Sequence, residues 1–490
     1  MSSALSGRVA GVPAWINRAI WAWFAVVAVY ALFSAPFHAL QLLLQGRWTS
    51  VTLPVCAAFA AAATIAAWRH AAAMARLLRA AGARLAAIER RAWLAYVIAG
   101  GIVLRLAWLA AFPTVQVSDA ASYTLLAQRL ADGGSYFTAD TYANWPPALP
   151  FFLAAQFLVF GSEPWVVPFS NLLLYTISVL VVYRLGLEVG GEPTARLATV
   201  LLAIWPNHIM TTGLAEKEML VIPLISGVLL AYLLAARSPA PRNGLWLAGA
   251  SGVLTGVASL AQPSLVLFPA ALAAYQLARG EGMRTLLVRM VVVAIGVVVA
   301  IAPWTVRNYL VLDAFVPIST AGGKALYLAN NPLATGGYAS SSEKSLDDFD
   351  ELTANRLGFK WGVQWIAANP LGFVKLMFAK QIVFLGDDSD GAYWGIKKGG
   401  TGSAVAFVLM KGLSNAYWLA MMFLMFAAVR AHWGSPEGLL ADVSLLMLSL
   451  LYAFSIDSVF EAGARHHTQM IGALVVLAAL LASAPRTAPA

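Results

Sequence analysis

The chain has 490 residues, of which 60% are hydrophobic and 11% are charged. Soluble domains carry about 25% charged residues, so this composition indicates a polytopic membrane protein and excludes a string of soluble domains. The net charge is +9, but the arginines cluster in short loops between apolar runs, which is typical of cytoplasmic loops and not of nucleic-acid binding. The single cysteine, Cys56, excludes an internal disulfide.

Twelve apolar segments are predicted to cross the membrane, because a span needs about 20 predominantly apolar residues. They are Trp15–Leu43, Val51–Trp68, Trp93–Phe112, Trp165–Leu187, Ala195–Met210, Met219–Ala236, Leu245–Leu260, Leu265–Ala278, Val288–Ala302, Val405–Ala428, Leu439–Phe454 and Gln469–Ala482. The sequence therefore predicts an all-α bundle of about 12 transmembrane helices.

A thirteenth apolar run, Pro147–Phe160, is predicted to lie at the membrane interface instead of crossing. If it does not cross, the strongly basic short loops all fall on one side of the membrane, as the positive-inside rule requires. Both termini are then cytoplasmic, and the arginine-rich segment 69–91 is predicted to be a basic helix on the inner leaflet. The opposite side carries two long segments, 113–164 and 304–403, and the second should contain helices over Leu352–Ala368 and Leu371–Leu385.

An acidic residue stands at the outer lip of the third span. Pro113–Val117 ends that span, and Ser118-Asp119 opens a short amphipathic helix, Ala120–Leu130. Asp119 either caps this helix and complements its dipole, or acts as a general base for a hydroxyl acceptor. A carboxylate in this position can meet a substrate whose other half lies in lipid.

A second pair of acids, Glu216 and Glu218, precedes the sixth span. One interpretation is a solvated helix start, where acidic side chains complement the helix dipole. The other is a carboxylate that orients the acceptor or a divalent metal ion. Glu218 begins the apolar run, so we expect it to face inward more readily than Glu216.

Cationic side chains follow in the outer segments. Arg307 comes directly after a span, where it either snorkels to lipid headgroups or holds a lipid-linked phosphate through its two-pronged guanidinium. Lys324 ends a glycine turn in which backbone N–H groups and an ammonium can meet a phosphate. Near the C-terminus, Arg465 is a candidate second phosphate contact together with His466, whereas the adjacent His466 and His467 lack the spacing of a metal site.

The order of these elements resembles the GT-C membrane glycosyltransferases, specifically the protein mannosyltransferase and aminoarabinose transferase group. The resemblance extends over residues 93–480 and depends on the order of short motifs. These motifs are Val117-Ser118-Asp119, Asn144-Trp145-Pro146-Pro147, Val182-Tyr183-Arg184-Leu185-Gly186, Trp205-Pro206, Glu216 with Glu218, Pro303-Trp304-x-x-Arg307-Asn308, Phe315–Thr320 and Asn330-Asn331-Pro332.

The resemblance implies an inverting glycosyltransferase that moves a sugar from a polyprenyl-phosphate donor to a hydroxyl of a lipid, glycan or protein. It implies a catalytic base at Asp119 and an acceptor-placing acid at Glu218 or Glu216. The expected location is the bacterial inner membrane, with the active site facing the periplasm and no nucleic acid as partner. This chemistry requires no metal, although Asp119 and Glu218 are also candidates for holding Mg²⁺ or Mn²⁺.

Three other functions remain open on the sequence. A polymerase or ligase of lipid-linked glycans would also use cations at the outer face. A transporter or flippase would need polar groups buried inside the spans, and the apolar runs hold few of them. A non-catalytic scaffold would leave the polar residues of the long segments without a chemical role.

The predicted division of the chain has four parts. Residues 1–92 hold two extra spans and the basic cytoplasmic helix, and residues 93–303 form a GT-C-like catalytic core with the first outer loop at 113–164. Residues 304–403 form a periplasmic loop with short helices, and residues 404–490 form a C-terminal segment of three spans.

Overall fold

The fold is all-helical in the computed structural model, which describes residues 15–43, 52–138, 141–337, 342–400, 402–435 and 437–483. In these ranges there is no β-strand, only an isolated bridge between Thr138 and Thr141. The predicted start of the second span, Val51, lies outside the described residues. The helices are α1 Trp15–Leu43, α2 Thr52–Ala86, α3 Arg90–Ala111, α4 Asp119–Ala131, α5 Ala148–Phe160, α6 Val166–Gly190, α7 Glu192–Ala203, α8 Pro206–Met210, α9 Lys217–Arg237, α10 Pro241–Ala261, α11 Pro269–Ala278, α12 Met283–Leu312, α13 Ala321–Ala329, α14 Glu351–Ala368, α15 Pro370–Gly386, α16 Asp390–Ala392, α17 Ala404–His432, α18 Glu437–Val459 and α19 Ile471–Ala479.

Nine helices in the described ranges are long and apolar enough to cross a membrane, which makes the chain a multi-pass membrane protein. They are α1, α2, α3, α6, α9, α10, α12, α17 and α18. Three further predicted spans fall on shorter helices. One is α11 with its preceding 3₁₀ turn, and another is α19 with the 3₁₀ turns at its two ends.

The third, predicted as one span over Ala195–Met210, is broken into α7 and α8. The break comes at Trp205-Pro206. Proline lacks a backbone N–H and disfavours helical geometry at the preceding residue, and Trp205 is extended, with φ −63° and ψ 112°.

Two helices run further than the sequence indicated. The predicted basic surface helix does not begin separately, because α2 continues from the second span to Ala86 without a break. The ninth predicted span, expected to end at Ala302, continues as α12 through Pro303 to Leu312, so that Arg307 lies on a helix and not in a loop. A proline is tolerated inside a membrane helix when neighbouring groups satisfy the freed backbone.

The long segments lie together on one side of the bundle. We call this side the loop face and define it by residues 113–164, 304–403 and 460–468. Ala143 and Asn144 accept hydrogen bonds from Thr320 N (3.0 Å) and Ser319 Oγ (2.7 Å), which join the first two segments. The segment predicted to lie at the interface forms the short helix α5, and the two helices predicted in the second segment are present as α14 and α15.

The basic short loops meet in an ion-pair network, which we call the arginine face. Arg237 contacts Asp442 at 2.5 Å and Glu188 at 3.2 Å, and Arg279 contacts Asp442 at 3.0 Å. These contacts bring the loops after α6, α9 and α11 to a single side, as the arginine distribution indicated. Which side faces the cytoplasm stays a prediction.

Candidate active site

The guanidinium of Arg465 lies at the centre of four carboxylates from three separate segments. It donates to Asp119 Oδ2 at 2.5 Å and to Glu216 Oε2 at 2.8 Å. Its Nε lies 3.7 Å from Glu218 Oε1, and its Nη1 lies 3.9 Å from Asp390 Oδ2. We call these five residues the acid cluster. The sequence placed Arg465 among the phosphate contacts, whereas here it lies beside the residue predicted to be the base.

The carboxylate of Asp119 does not cap α4. It accepts from Arg465 and from the Ser118 hydroxyl, and the N-cap residue Ser118 makes no side-chain capping bond. Ser118 has φ 54°, a conformation that is strained for a residue with a side chain and costs about 1–3 kcal/mol, often at functional sites. The Asp119 side chain thus makes no capping hydrogen bond, although its place in the first turn of α4 still complements the helix dipole.

Asp119 is ionised in this environment. Burial alone would raise the pKa of its carboxyl, but Arg465, and more weakly Lys217 and Ser118, hold that pKa below its ordinary value. A carboxylate that is charged at neutral pH and reachable from the protein surface has the properties of a general base. The side chain of Asp119 keeps 30% of its exposure, compared with 4% for Glu216.

The deeper acids of the cluster carry the opposite shift. Burial raises the pKa of Glu216, Arg465 opposes this, and Glu218 and Asp390 add to it. The pKa of Asp390 is raised to about 6, first by burial and then by the neighbouring carboxylates. Glu218 Oε2 and Asp390 Oδ2 are buried without a hydrogen-bond partner. Charged groups with opposed pKa shifts in one site are typical of functional centres.

Asp390 was missed by the sequence reasoning. It belongs to the run Asp387-Asp388-Ser389-Asp390 directly after α15, which reads as a polar turn that ends a helix. The signal that could have found it is the density of acids: three aspartates in four residues, in a segment already assigned to the same side as Asp119.

His466 lies next to the cluster but points to other acids. Its Nδ1 is 2.9 Å from Asp457 Oδ1, and Glu461 is a further electrostatic neighbour. Burial alone would lower the pKa of His466, but Asp457 raises it above the ordinary value. The ring is therefore paired with a carboxylate rather than free for a phosphate.

Arg307 lies at the end of an apolar groove on the loop face. Its guanidinium donates to the backbone carbonyls of Tyr136 and Tyr142, both at 2.6 Å, and lies over the ring of Trp304. The groove has a volume of about 620 Å³. It is lined by residues of α4, α5, α9, α10 and α12 and of the loop after α4: Leu130, Tyr136, Pro147, Ala148, Phe151, Phe152, Leu220, Val257, Leu260, Ala300, Pro303, Trp304 and Arg307.

The groove and the acid cluster share two helices. Leu220, which lines the groove, is two residues beyond Glu218 on α9, and Leu130 lies on α4, the helix that Asp119 begins. The groove is thus lined in part by the two helices whose first turns carry carboxylates of the acid cluster.

Lys324 is not brought to the cluster or the groove. The predicted glycine turn is the first turn of α13, and the half-exposed Lys324 contacts the largely exposed Asp347 at 2.6 Å. The glycines there serve helix packing, because a Cβ at Gly323 would lie 1.9 Å from the carbonyl oxygen of Asn355 on α14. A phosphate-binding turn at this position is therefore not what the structure has.

The residues proposed for a metal do not have a metal-binding arrangement. Within the described ranges no three His, Cys, Asp or Glu side chains converge in a way that could hold an ion. The guanidinium of Arg465 occupies the space between Asp119 and Glu218 and provides the positive charge there.

Part of the chain matches the model of a protein family. Residues 144–306, about a third of the chain, match the model described as dolichyl-phosphate-mannose-protein mannosyltransferase. The resemblance to the protein mannosyltransferase group is confirmed. The segment similar to the mannosyltransferase model contains Glu216 and Glu218 and ends one residue before Arg307. No sequence in a set of curated proteins matches the chain.

Solved structures of two enzymes are similar to the chain over most of its length. The oligosaccharyltransferase of Archaeoglobus fulgidus, in complex with Zn and sulfate, is 15% identical, with a TM-score of 0.48 over 79% of this chain and 48% of that one. ArnT from Cupriavidus metallidurans, bound to undecaprenyl phosphate, is 14% identical, with a TM-score of 0.44 over 80% and 78% of the two chains. The chain thus spans about half the length of the oligosaccharyltransferase.

Proposed function

We propose that this chain is an inverting glycosyltransferase that moves a single sugar from a polyprenyl-phosphate donor to a hydroxyl acceptor, on the periplasmic side of a bacterial inner membrane. The observation that carries the proposal is the ionised Asp119 carboxylate held against Arg465, beside an apolar groove that ends at Arg307. A general base, a cation and an apolar groove for the lipid are the three parts that this chemistry needs.

The groove suits the lipid part of such a donor. Its walls are aliphatic and aromatic, and the one charged residue in its lining, Arg307, is at its end. A polyprenyl chain in the groove would place its phosphate at the level of Arg307, and a guanidinium binds phosphate through two parallel hydrogen bonds. ArnT from Cupriavidus metallidurans, whose structure is similar to this chain, was solved with undecaprenyl phosphate bound.

The proposed step is a displacement at the anomeric carbon. The acceptor oxygen forms a bond to that carbon while the bond from the carbon to the phosphate oxygen breaks, and the polyprenyl phosphate leaves with the electron pair. The acceptor proton passes to Asp119. General-base assistance of this kind typically contributes about 10²–10⁴ in rate.

Arg465 has two tasks in this scheme. It keeps Asp119 ionised before the reaction, and its positive charge is available to the phosphate, on which negative charge grows as the glycosidic bond breaks. A cation fixed in place before the reaction stabilises the transition state more than the ground state. Glu216 and Glu218 hold the other edge of the guanidinium and so fix its plane.

One buried charge inside a span bears on the transporter alternative, but its contacts give that alternative little support. Arg105 is fully buried within α3, an exception to the apolar character of the spans. It donates to the carbonyls of Gly101 (3.0 Å) and Ala203 (3.1 Å) and contacts His208 Nδ1 at 2.7 Å. These contacts join α3 to α7 and α8, which is a packing role.

The test is to supply membranes containing the protein with radiolabelled polyprenyl-phosphate sugars and to identify what becomes labelled. The proposal predicts one sugar residue on a hydroxyl acceptor and release of polyprenyl phosphate, in membranes with the wild-type protein but not with Asp119→Asn. Transfer of a preassembled glycan would indicate a polymerase or ligase. Movement of intact donor across the membrane without release of polyprenyl phosphate would indicate a flippase.

A further inference from the structure

A second buried ion pair lies directly behind the acid cluster. Asp388 and His467 are both fully buried, and His467 Nε2 lies 3.1 Å from Asp388 Oδ1. Neither residue touches the space in front of Asp119, and neither has a part in the step proposed above. Each, however, is two residues from a member of the cluster: Asp388 from Asp390, and His467 from Arg465.

Three side chains from two segments contact the carboxylate of Asp388. Trp205 Nε1 donates to its Oδ2 at 2.8 Å, and Asn207 Nδ2 donates to its Oδ1 at 2.8 Å. Together with His467, these contacts satisfy both oxygens of a carboxylate that has no access to water. A buried charge requires this degree of compensation, since an unpaired one is strongly destabilising.

His467 is fixed on both of its ring nitrogens. Nδ1 lies 2.8 Å from the carbonyl oxygen of Phe384, and the ring stacks on Trp418 with centroids 4.0 Å apart. One ring nitrogen contacts the Asp388 carboxylate and the other contacts the Phe384 carbonyl, so that the orientation of the ring is fixed.

The segments joined at Asp388 are those that supply the acid cluster. Trp205 and Asn207 belong to the segment that leads to Glu216 and Glu218, and His467 belongs to the segment of Arg465. Asn207 also accepts from Gly391 N at 2.8 Å. A Cβ at Gly391 would lie 2.8 Å from the Met210 Cβ, so that α16 and α8 are in direct contact at this point.

We propose that the Asp388–His467 pair is the positioning element of this site, because it fixes Arg465 and Asp390 relative to Asp119. The proposal deepens the proposed function and rests on it. Reacting groups must be held to within a fraction of an ångström, and a misplacement of about 1 Å can cost on the order of 10²-fold in rate. Loss of the pair should therefore reduce turnover without removing any residue that touches substrate.

Two substitutions of His467 test whether its contact with Asp388 positions the site or whether its ring only fills buried space. In His467→Gln the amide nitrogen reaches the position of Nε2 and still donates to Asp388. In His467→Asn the shorter amide keeps the contact with the Phe384 carbonyl but loses the one with Asp388. Both variants lose the stack on Trp418, so that they differ in which polar contact remains: the one with Asp388 in His467→Gln and the one with Phe384 in His467→Asn.

The measurement is kcat and donor KM for both variants, with unfolding temperature beside them. We expect kcat of His467→Asn to fall on the order of 10²-fold, kcat of His467→Gln to stay within about tenfold of the wild type, and donor KM to change little in either. Equal kcat values in the two variants would overturn the proposal. His432, another buried histidine, which contacts the Leu480 carbonyl on the arginine face, is the matched control, and its Gln and Asn variants should have equal kcat.

A milder variant covers the case in which neither His467 variant accumulates. Trp205→Phe removes the indole N–H that donates to Asp388 and keeps an aromatic ring against Tyr417. It should lower kcat severalfold and also lower the unfolding temperature, because it removes one donor from a buried carboxylate and part of a fully buried side chain. An unchanged kcat in this variant would contradict the proposal.

Failure of the proposed function can be told apart from failure of this inference. If the wild type transfers no sugar from any polyprenyl phosphate, the proposed function fails. The inference is then decided by a double-mutant cycle between Asp119→Asn and Arg465→Gln, read in unfolding temperature. The coupling should persist in the His467→Gln background and disappear in the His467→Asn background, and equal coupling in both would overturn the inference.

Discussion

The arginine face and the acid cluster of the loop face are both built from acidic and basic side chains, but in different ratios. On the arginine face each acid meets more than one donor: Asp442 accepts from Arg237, Arg279 and Tyr275. Glu281 similarly contacts Arg279 and Arg289. In the acid cluster of the loop face a single guanidinium serves four carboxylates, and two buried carboxylate oxygens have no hydrogen-bond partner.

This difference indicates a structural role for the ion pairs of the arginine face and a functional role for the acid cluster. A balanced set of ion pairs joins loops and satisfies every charge, which is sufficient for packing. An excess of buried carboxylates raises the free energy of the folded state. Such an excess is typical of sites where the charges take part in a reaction. The four predictions that follow vary the charges of each face in turn.

The largest effect is expected for Arg465→Gln. This change leaves four carboxylates without their cation, and removal of one partner from a buried ion pair typically costs about 3–5 kcal/mol. The unfolding free energy in detergent should fall by this amount, and sugar transfer should be lost. Arg465→Lys keeps the charge but not the two-pronged geometry, so it should recover stability better than activity. Normal stability of Arg465→Gln would mean that the cluster is not held by this residue.

The next effect is expected for Arg307→Ala in donor binding. The guanidinium lies at the end of the groove, so its loss should weaken donor affinity about 10- to 100-fold while acceptor affinity changes little, the scale of a lost charged contact. Arg307→Lys should recover only part of the loss. Lys324→Ala, which changes a cation paired with Asp347 away from the groove, serves for comparison. Equal donor affinity in Arg307→Ala and Lys324→Ala would remove Arg307 from the donor site.

A pH-dependent effect is expected for Asp390. Its pKa of about 6 in the folded protein lies above the ordinary 3.8, so the folded state binds the proton more tightly than the unfolded chain. The stabilisation that Asp390 itself contributes should therefore be complete below about pH 4 and be lost as the pH rises through about 6. Asp390→Asn removes this dependence and should raise the unfolding free energy at pH 8 by about 1–3 kcal/mol, the scale of one to two pKa units. The same pH profile in wild type and variant would show that Asp390 does not titrate in this range.

The smallest effect is expected on the arginine face. Arg237→Gln leaves Asp442 with Arg279 and Tyr275 as donors, and the Arg237 side chain is a quarter exposed. The unfolding free energy should fall by about 1 kcal/mol or less, with unchanged kcat and donor KM. A loss of activity as large as that of Arg465→Gln would erase the contrast between the two faces.

Much of this architecture could be predicted from the sequence, because it depends on local patterns. Apolar runs located the long spans, and the proline that begins α5 together with the arginine distribution placed it at the interface. The pair Ser118-Asp119 marked the start of α4, where the structure has it. Asp119, Glu216 and Glu218 could be identified as one group because their segments were assigned to one side of the membrane.

The rest depends on contacts that no local pattern encodes. Arg465 meets Asp119 across 346 positions of the chain, so that its role beside the base could not be deduced from either segment alone. Lys324 was placed in a turn because Gly322-Gly323 suggested one, but tertiary packing against α14 made it a helix. Arg307 was placed in a loop because Pro303 suggested a helix end, and the bundle allowed the helix to continue.

The central claim is that Asp119 is the general base, and the most direct test is the turnover of Asp119→Asn with bound donor. Asparagine has nearly the same size as aspartate, and three carboxylates remain around Arg465 in this variant, so the protein should accumulate and fold. The account predicts that kcat falls by at least two orders of magnitude, the scale of general-base loss, while donor affinity is kept because Arg307 and the groove are unchanged. Full turnover in a well-folded Asp119→Asn protein would contradict the account.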